Sequence, residues 1–543
     1  MTEPVYKFIA AKKQKQLLDA IPLEWRIQVS PDQPDNLTKF AETCGILTER
    51  EIVITSNYDA VGLLEKVHKG EYSALEVTIA FCKRAALAQQ CCNCLTEIFF
   101  DRAFETAKKQ DEYFAIHGKP VGLLHGLPIS IKDSYNIKGV ESTIGIAANV
   151  GLIEPESSTI VDALEAQGGI MYVKTNVPQS MMVLDTENNV FGPVRNPYSK
   201  HISAAGSSGG AGAIVAFRGS LVGMATDIGG SIRVPAYANG CYGFKPSSGR
   251  NPYYNIKGYW TAGEEYVGIL CVDGPITTSA RDLTLIQRAI AETEPWNYDP
   301  TCLRLPWSEP KLGNRLRLGV IRNIPMLEPI KTIFNDYVAK VEAAGHELVD
   351  MDMLLGDDLA KNCGDFFRLD GGDFLIDICK QTGEPLTQAV LDGGLYPSEG
   401  KGIRELFKYT EDRTNWQKQW LDYWASTKAS TKDGKPVEFI LMPTQAMLPR
   451  PKEALASNAT VLMWNALDYP AAVFPVHTID LASNDYEFEF AAAKSEAEQR
   501  IESLYPADRQ ASYQGFPVGV QVVGQKHDEP ALLAAIEKLS QLA

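Results

Sequence analysis

Residues 203–233 read SAAGSSGGAGAIVAFRGSLVGMATDIGGSIR. The stretch holds two glycine clusters that carry serines, Gly206-Ser207-Ser208-Gly209-Gly210 and Gly229-Gly230-Ser231, joined by Ala, Gly and Val with few polar side chains. Glycine at this density lets the backbone take positive φ and approach a ligand closely. Two glycines directly before a serine can also aim several backbone N–H groups at one point, which is how an oxyanion site is built. A pair of flexible Gly/Ser linkers is the bland alternative, but linkers rarely abut an apolar, strand-like run such as 221–226.

Helix and strand signals alternate outward from this stretch. Residues 209–217 are small and apolar and predict a helix able to pack closely on a sheet, 221–226 predict a strand, and Ser231 begins another helix. Upstream, Gly126-Leu127-Pro128-Ile129-Ser130-Ile131-Lys132-Asp133 alternates as a strand does; 159–167 reads as a helix capped by Ser157 or Ser158, and 170–174 as a strand. Downstream, 315–322 and 346–351 flank a helix over about 329–344, followed by strands at 438–443 and 518–523 and a closing helix over 529–542. Such alternation predicts an α/β fold with a mixed, largely parallel twisted central sheet covered on both faces by helices.

The entry to this pattern is helical, over 59–68, from the capping box Ser73-Ala74-Leu75-Glu76 to about 90, and over 102–116 before Gly118. Residues 1–55 read as an N-terminal arm in which Pro22, Pro31 and Pro34 argue against long helices and Trp25 packs on the main body. Within a mostly helical 355–435, Trp416, Trp420 and Trp424 recur at the spacing of a core stripe. Residues 483–512 are polar and predict a surface insertion. No interior stretch reads as a linker, so 56–543 are expected to form one domain.

Composition narrows the class of function. With 543 residues, 45% of them hydrophobic, the chain can bury a large core. A net charge of −16 and the lack of a long Lys/Arg run argue against a nucleic-acid partner. Arg218 interrupts the longest apolar run, and Lys7, Lys12, Lys13 and Lys15 break up the N-terminus, so neither a membrane span nor a secretory leader is expected. Cys91-Cys92-Asn93-Cys94 lacks the spacing of a zinc site, so no metal is expected; the ten cysteines read as free thiols of a cytoplasmic protein.

An activated serine needs a base. Residues 206–210 formally match G-x-S-x-G, which would make Ser208 the nucleophile of an α/β-hydrolase with His346, His477 or His527 as its base, although no clear strand leads into 203–205. A second reading uses a lysine. Lys132 ends an apolar strand, and burial there would lower its pKa and supply a neutral amine. Taken alone, Lys132 also reads as a strand-end lysine that reaches solvent or pairs with Asp133.

Taken together, these segments resemble the amidase signature family. Gly206 to Gly210 with Thr226-Asp227-Ile228-Gly229-Gly230-Ser231-Ile232-Arg233 is similar to its signature, and Leu127-Pro128-Ile129-Ser130-Ile131-Lys132-Asp133 to its lysine motif. Lys174-Thr175-Asn176-Val177-Pro178, Gly243-Phe244-Lys245-Pro246, Gly274-Pro275-Ile276 and Gly515-Phe516-Pro517-Val518-Gly519-Val520-Gln521 follow in the family's order. Phe81-Cys82-Lys83-Arg84-Ala85-Ala86 and Glu294-Pro295-Trp296-Asn297-Tyr298-Asp299 resemble segments of fungal acetamidases.

The resemblance implies a Ser–Ser–Lys triad: Ser231 as nucleophile, Ser207 as the bridge that follows a cis peptide bond, and Lys132 as base. It implies an oxyanion site made by the N–H groups of Ile228, Gly229, Gly230 and Ser231, an acyl pocket near Met181, Met182 and Leu184, and no metal or organic cofactor. The implied substrates are small acetamide-like amides, with small carbamate esters such as ethyl carbamate chemically close. A homodimer is a further family-level expectation. The amidase-like subunit of a tRNA-dependent amidotransferase and a non-catalytic scaffold of the same fold stay open as alternatives. Two positions depart from the family: Ala205, where many relatives have glycine, and Ser248, where the fungal acetamidase pattern has histidine.

Overall fold

The structure, a computed structural model, describes residues 4–28, 34–258, 263, 266–394, 396–449, 459–482, 486–489 and 496–543. Among these, eleven strands form one sheet: β1 (Leu95–Ile98), β2 (Leu127–Lys132), β3 (Gly169–Thr175), β4 (Val222–Asp227), β5 (Tyr242–Lys245), β6 (Val272–Thr277), β7 (Arg317–Ile321), β8 (Glu347–Met351), β9 (Phe439–Pro443), β10 (Ala471–Thr478) and β11 (Pro517–Val523). Their order is β1-β3-β2-β4-β6-β5-β10-β11-β9-β7-β8.

Helices cover both faces, as expected. Phe439 and Leu441 of β9 enter one hydrophobic cluster while Ile440 and Met442 enter another, so successive side chains are buried on opposite sides. The expectation of a largely parallel sheet is corrected. The sheet is mixed, but only β2–β3, β2–β4, β7–β8 and β7–β9 are parallel, and the six pairings at the centre and at the β1 edge are antiparallel. The antiparallel centre is built around β5, β6 and β10, each interrupted by Gly or Pro.

What matters for a site is the group β3-β2-β4. All three strands are buried along their length, and β2 pairs in parallel with both neighbours. Parallel pairing brings Lys132, the last residue of β2, and Thr226–Asp227, the last of β4, to the same edge. The carboxyl ends of parallel strands are where α/β sheets leave a crevice for ligands. The helix Gly209–Ala216 packs on β2 and β4, and its first residues, all glycine or alanine, let it approach closely.

The N-terminus differs from expectation. Val5–Asp19 is a fifteen-residue helix, with Pro4 at its N-cap and no proline inside it. Pro22 stops it, and Pro31 lies outside the described residues. Trp25 does pack on the body, its ring 5.8 Å from that of Phe100. The helix is pinned by Lys13, which is 1% exposed and ion-paired with Glu97 of β1 and, at 3.0 Å, with Glu141. Removing one member of a buried ion pair costs about 3–5 kcal/mol because its partners stay buried. Lys13→Met is therefore expected to lower the thermal-inactivation temperature clearly. Lys15→Met, which removes a solvent-exposed pair with Asp19, is expected to leave it unchanged. Equal effects would show that Glu97 and Glu141 do not depend on Lys13.

Elsewhere the tryptophan stripe is core. Trp420 and Trp424, on the helix Ile403–Ser426, are buried and donate to the carbonyls of Leu354 and Val437, both at 2.8 Å. Of the predicted insertion 483–512, residues 483–485 and 490–495 lie outside the described residues. The remainder is anchored by Phe488 and Tyr505 against Tyr513, with the Tyr505 hydroxyl donating to the Leu448 carbonyl at 2.6 Å. All ten cysteines are free.

Candidate active site

Lys132 is fully buried, and among the described residues no carboxylate lies within ion-pair reach of it. Its Nζ donates to Ser207 Oγ and to Thr226 Oγ1, both at 2.8 Å. Burial pushes its pKa down from 10.5 to about 8, with the Cys271 thiol and Asp227 opposing the shift in part. The Asp133 pairing considered above goes to a different lysine, Lys174, at 3.4 Å.

Ser207 sits in a turn held from outside its own segment. The peptide bond Gly206–Ser207 is cis, and Ala205 before it has φ of 59°. A glycine would take this left-handed backbone without a steric penalty; here a methyl group sits in it. Thr186 Oγ1 donates to the Ala205 carbonyl at 2.7 Å and accepts the Gly209 N–H at 3.1 Å, and Ser203 Oγ donates to Asp185. A side chain at 206 would strike the Val183 carbonyl at 2.7 Å, so only glycine fits. Asp185 and Thr186 carry no motif that sequence reasoning could read.

The second glycine cluster is wrapped around a buried carboxylate. Asp227 Oδ1 accepts the Gly230 N–H at 2.8 Å, and Oδ2 accepts the Ile232 N–H at 3.1 Å. Arg233 Nε reaches Oδ2 at 3.0 Å and Asn465 Nδ2 reaches Oδ1 at 2.9 Å. Burial alone would raise the Asp227 carboxyl, but Arg233, Lys245 and Asn465 outweigh it and hold the group well below the usual carboxylate range. Arg233 is itself satisfied by the Val461 carbonyl, Gln521 and Asn465. Gly230 has φ of 112°, open only to glycine, and its N–H is spent on Asp227. The N–H groups of Ile228, Gly229 and Ser231 have no acceptor among the described residues.

Ser207 and Ser231 line one small pocket, which encloses ≈ 280 Å³ with open solvent included. Met181, Met182 and Ile228 give it an apolar wall, and Ser134, Thr226, Tyr253, Lys257 and Cys271 a polar one. Leu184, expected beside the methionines, does not line it. The backbone of Val183–Asp185 lies against Gly206, and the Leu184 side chain joins Ala205, Val234 and Met447 around a neighbouring apolar hollow. Ser208 does not line the pocket either. Its Oγ is buried without a hydrogen-bond partner, no strand leads into 203–207, and His346 accepts from the Leu316 N–H elsewhere, so the nucleophile-elbow arrangement is not formed. The departure at Ser248 is a turn contact: its Oγ bonds Asp468 at 2.5 Å. Among the described residues no helix is long and apolar enough to cross a membrane, and no group of three or more His, Cys, Asp or Glu is placed to hold a metal ion.

Comparison with known proteins agrees with this architecture. The family profile described as Amidase matches residues 76–533. An acetamidase of Emericella nidulans is 35% identical, over 98% of this chain and 97% of its own. An acetamidase of Aspergillus oryzae is 33% identical, over 100% and 99%. Among solved structures, a fatty acid amide hydrolase superposes with a TM-score of 0.88 at 29% identity, covering 100% of this chain and 95% of that one. The chain belongs to the amidase signature family, hydrolases of non-peptide carbon–nitrogen bonds.

Proposed function

We propose that the protein hydrolyses small primary carboxylic amides, acetamide among them, through a Ser–Ser–Lys triad, and that it accepts small carbamate esters such as ethyl carbamate. The observation that carries the reading is a buried lysine without a carboxylate partner, bonded to a serine that shares a pocket with a second serine. Ser231 Oγ attacks the carbonyl carbon, its proton passes to Ser207 Oγ, and the Ser207 proton passes to the neutral Lys132 amine. The oxyanion is met by the free N–H groups of Ile228, Gly229 and Ser231; Gly230, engaged by Asp227, drops out of the expected set. As the C–N bond breaks, the proton returns through Ser207 to the leaving nitrogen, and ammonia departs. Water then hydrolyses the Ser231 ester by the same relay. With a carbamate ester the same attack releases alcohol or ammonia.

Substrate size is supported by the small pocket that Ser207 and Ser231 share and by the similarity to two fungal acetamidases. The ten free thiols go with the cytoplasmic location, and family resemblance with a homodimer. The test is ammonia release from acetamide and ethyl carbamate between pH 6 and 10. Lys132 acts only when neutral, so kcat/KM is expected to rise with pH and level off above about 8. A rate that peaked on the acid side would reject a neutral-lysine base, and release from neither compound would reject the substrate reading.

A further inference from the structure

Several polar side chains of the catalytic pocket already have partners. Ser207 and Thr226 accept from Lys132, and Lys257 pairs with Glu154 at 2.9 Å. One pocket hydroxyl is buried with no hydrogen-bond partner among the described residues, that of Ser134. Ser231 has its role as nucleophile. Ser134 lies in the turn just beyond β2, two residues after Lys132, and is 1% exposed. Its backbone is fixed, since its carbonyl accepts the Lys257 N–H at 2.8 Å, while its Oγ is left free. A buried hydroxyl without a partner is unfavourable, and one that lines a ligand pocket is satisfied by the ligand.

We infer that Ser134 is a specificity-determining residue that hydrogen-bonds a polar substituent on the acyl side of the substrate. The enzyme then favours small primary amides bearing a hydroxyl or amino group beside the carbonyl over their alkyl counterparts. The assignment to the acyl side follows from the leaving group: a primary amide loses ammonia, one heavy atom, so whatever else the pocket holds is acyl. Met181, Met182 and Ile228 contact its carbon atoms, and Ser134 its polar atom. This rests on the amidase reading above.

Glycolamide and propionamide provide the test, because they differ only in a hydroxyl for a methyl. In the native enzyme kcat/KM is expected to favour glycolamide. In Ser134→Ala the ratio of the two constants is expected to fall about 10-fold, mainly through KM, as loss of one hydrogen bond made equally to bound substrate and transition state requires. Ser134→Thr, which keeps a hydroxyl, should hold most of the ratio. A ratio within twofold of the native value in Ser134→Ala would overturn the inference alone. So would a fall in selectivity only on the amine side, read from N-(2-hydroxyethyl)acetamide against N-propylacetamide. Hydrolysis of none of these amides would overturn the amidase reading and the inference together.

Discussion

Replacing Ser231 by alanine will lower kcat/KM for acetamide by about 10⁴- to 10⁶-fold, the range seen when a hydrolase loses its nucleophile. Lys132→Ala is expected to fall into the same range, because in the proposed relay the proton of Ser231 is handed on through Ser207 to Lys132, whose Nζ bonds Ser207. Residues that act as a unit are not additive, so the double variant should be no slower than the worse single one. Both variants should fold. Ser231 is a small loop residue, and Lys132→Ala removes a buried cationic group that has no counter-ion to leave stranded. Ser208→Ala deletes a buried hydroxyl that has no hydrogen-bond partner among the described residues and should keep most of the activity. The opposite pattern, activity surviving Ser231→Ala and lost in Ser208→Ala, would move the nucleophile to Ser208.

Arg233→Met carries the second large effect, on stability and activity together. Arg233 is wholly buried, and its loss leaves the Asp227 carboxylate without its cation and three acceptors, on Val461, Gln521 and Asn465, without a donor. Breaking a buried pair in this way costs about 3–5 kcal/mol. The same carboxylate holds the N–H groups of Gly230 and Ile232, so the backbone that presents Ile228, Gly229 and Ser231 loses its brace. Activity should therefore drop at temperatures where the variant is still folded, with kcat falling more than KM rises. Because the Asp227 carboxyl sits well below the ordinary range, its contribution to stability is present at neutral pH and is lost only as pH falls through that lowered value. If kcat of folded Arg233→Met matched the native value, the brace would not be what shapes the site.

The parts of the fold that could be read in advance are those in which local pattern and tertiary role agree. β2, β3 and β4 carry strand-like patterns, alternating in β2, and are buried along their length, and the two Gly/Ser clusters stand beside the candidate pocket. Of the four strands that escaped notice, β5, β6 and β10 contain residues that usually end strands, and β1 is only four residues long. Pro275 lies inside β6, opposite Met224, at a point past the end of the short β5, which pairs only with Thr277 and Ile276. Pro475 in β10 sits at a register shift. These are the antiparallel strands, so missing them made the sheet look more parallel than it is. At the site, Lys132 and Ser207 meet as their motifs suggest. Thr226, Asp185, Thr186 and Asn465 act through contacts between distant segments, which no spacing along the chain encodes. Leu184 lies outside this pocket for the same reason: Met181 and Met182 line it, while the Leu184 side chain packs beside Ala205, Val234 and Met447.

The docking of the first helix has a consequence for synthesis. Lys13 finds Glu97 at a separation of 84 residues, Gln14 finds the Val190 carbonyl at 176, and the Tyr6 N–H waits for the carbonyl of Thr382. Residues 5–19 are thus made well before the segments that seat them, and this helix docks only after chain as far as Thr382 has been synthesised.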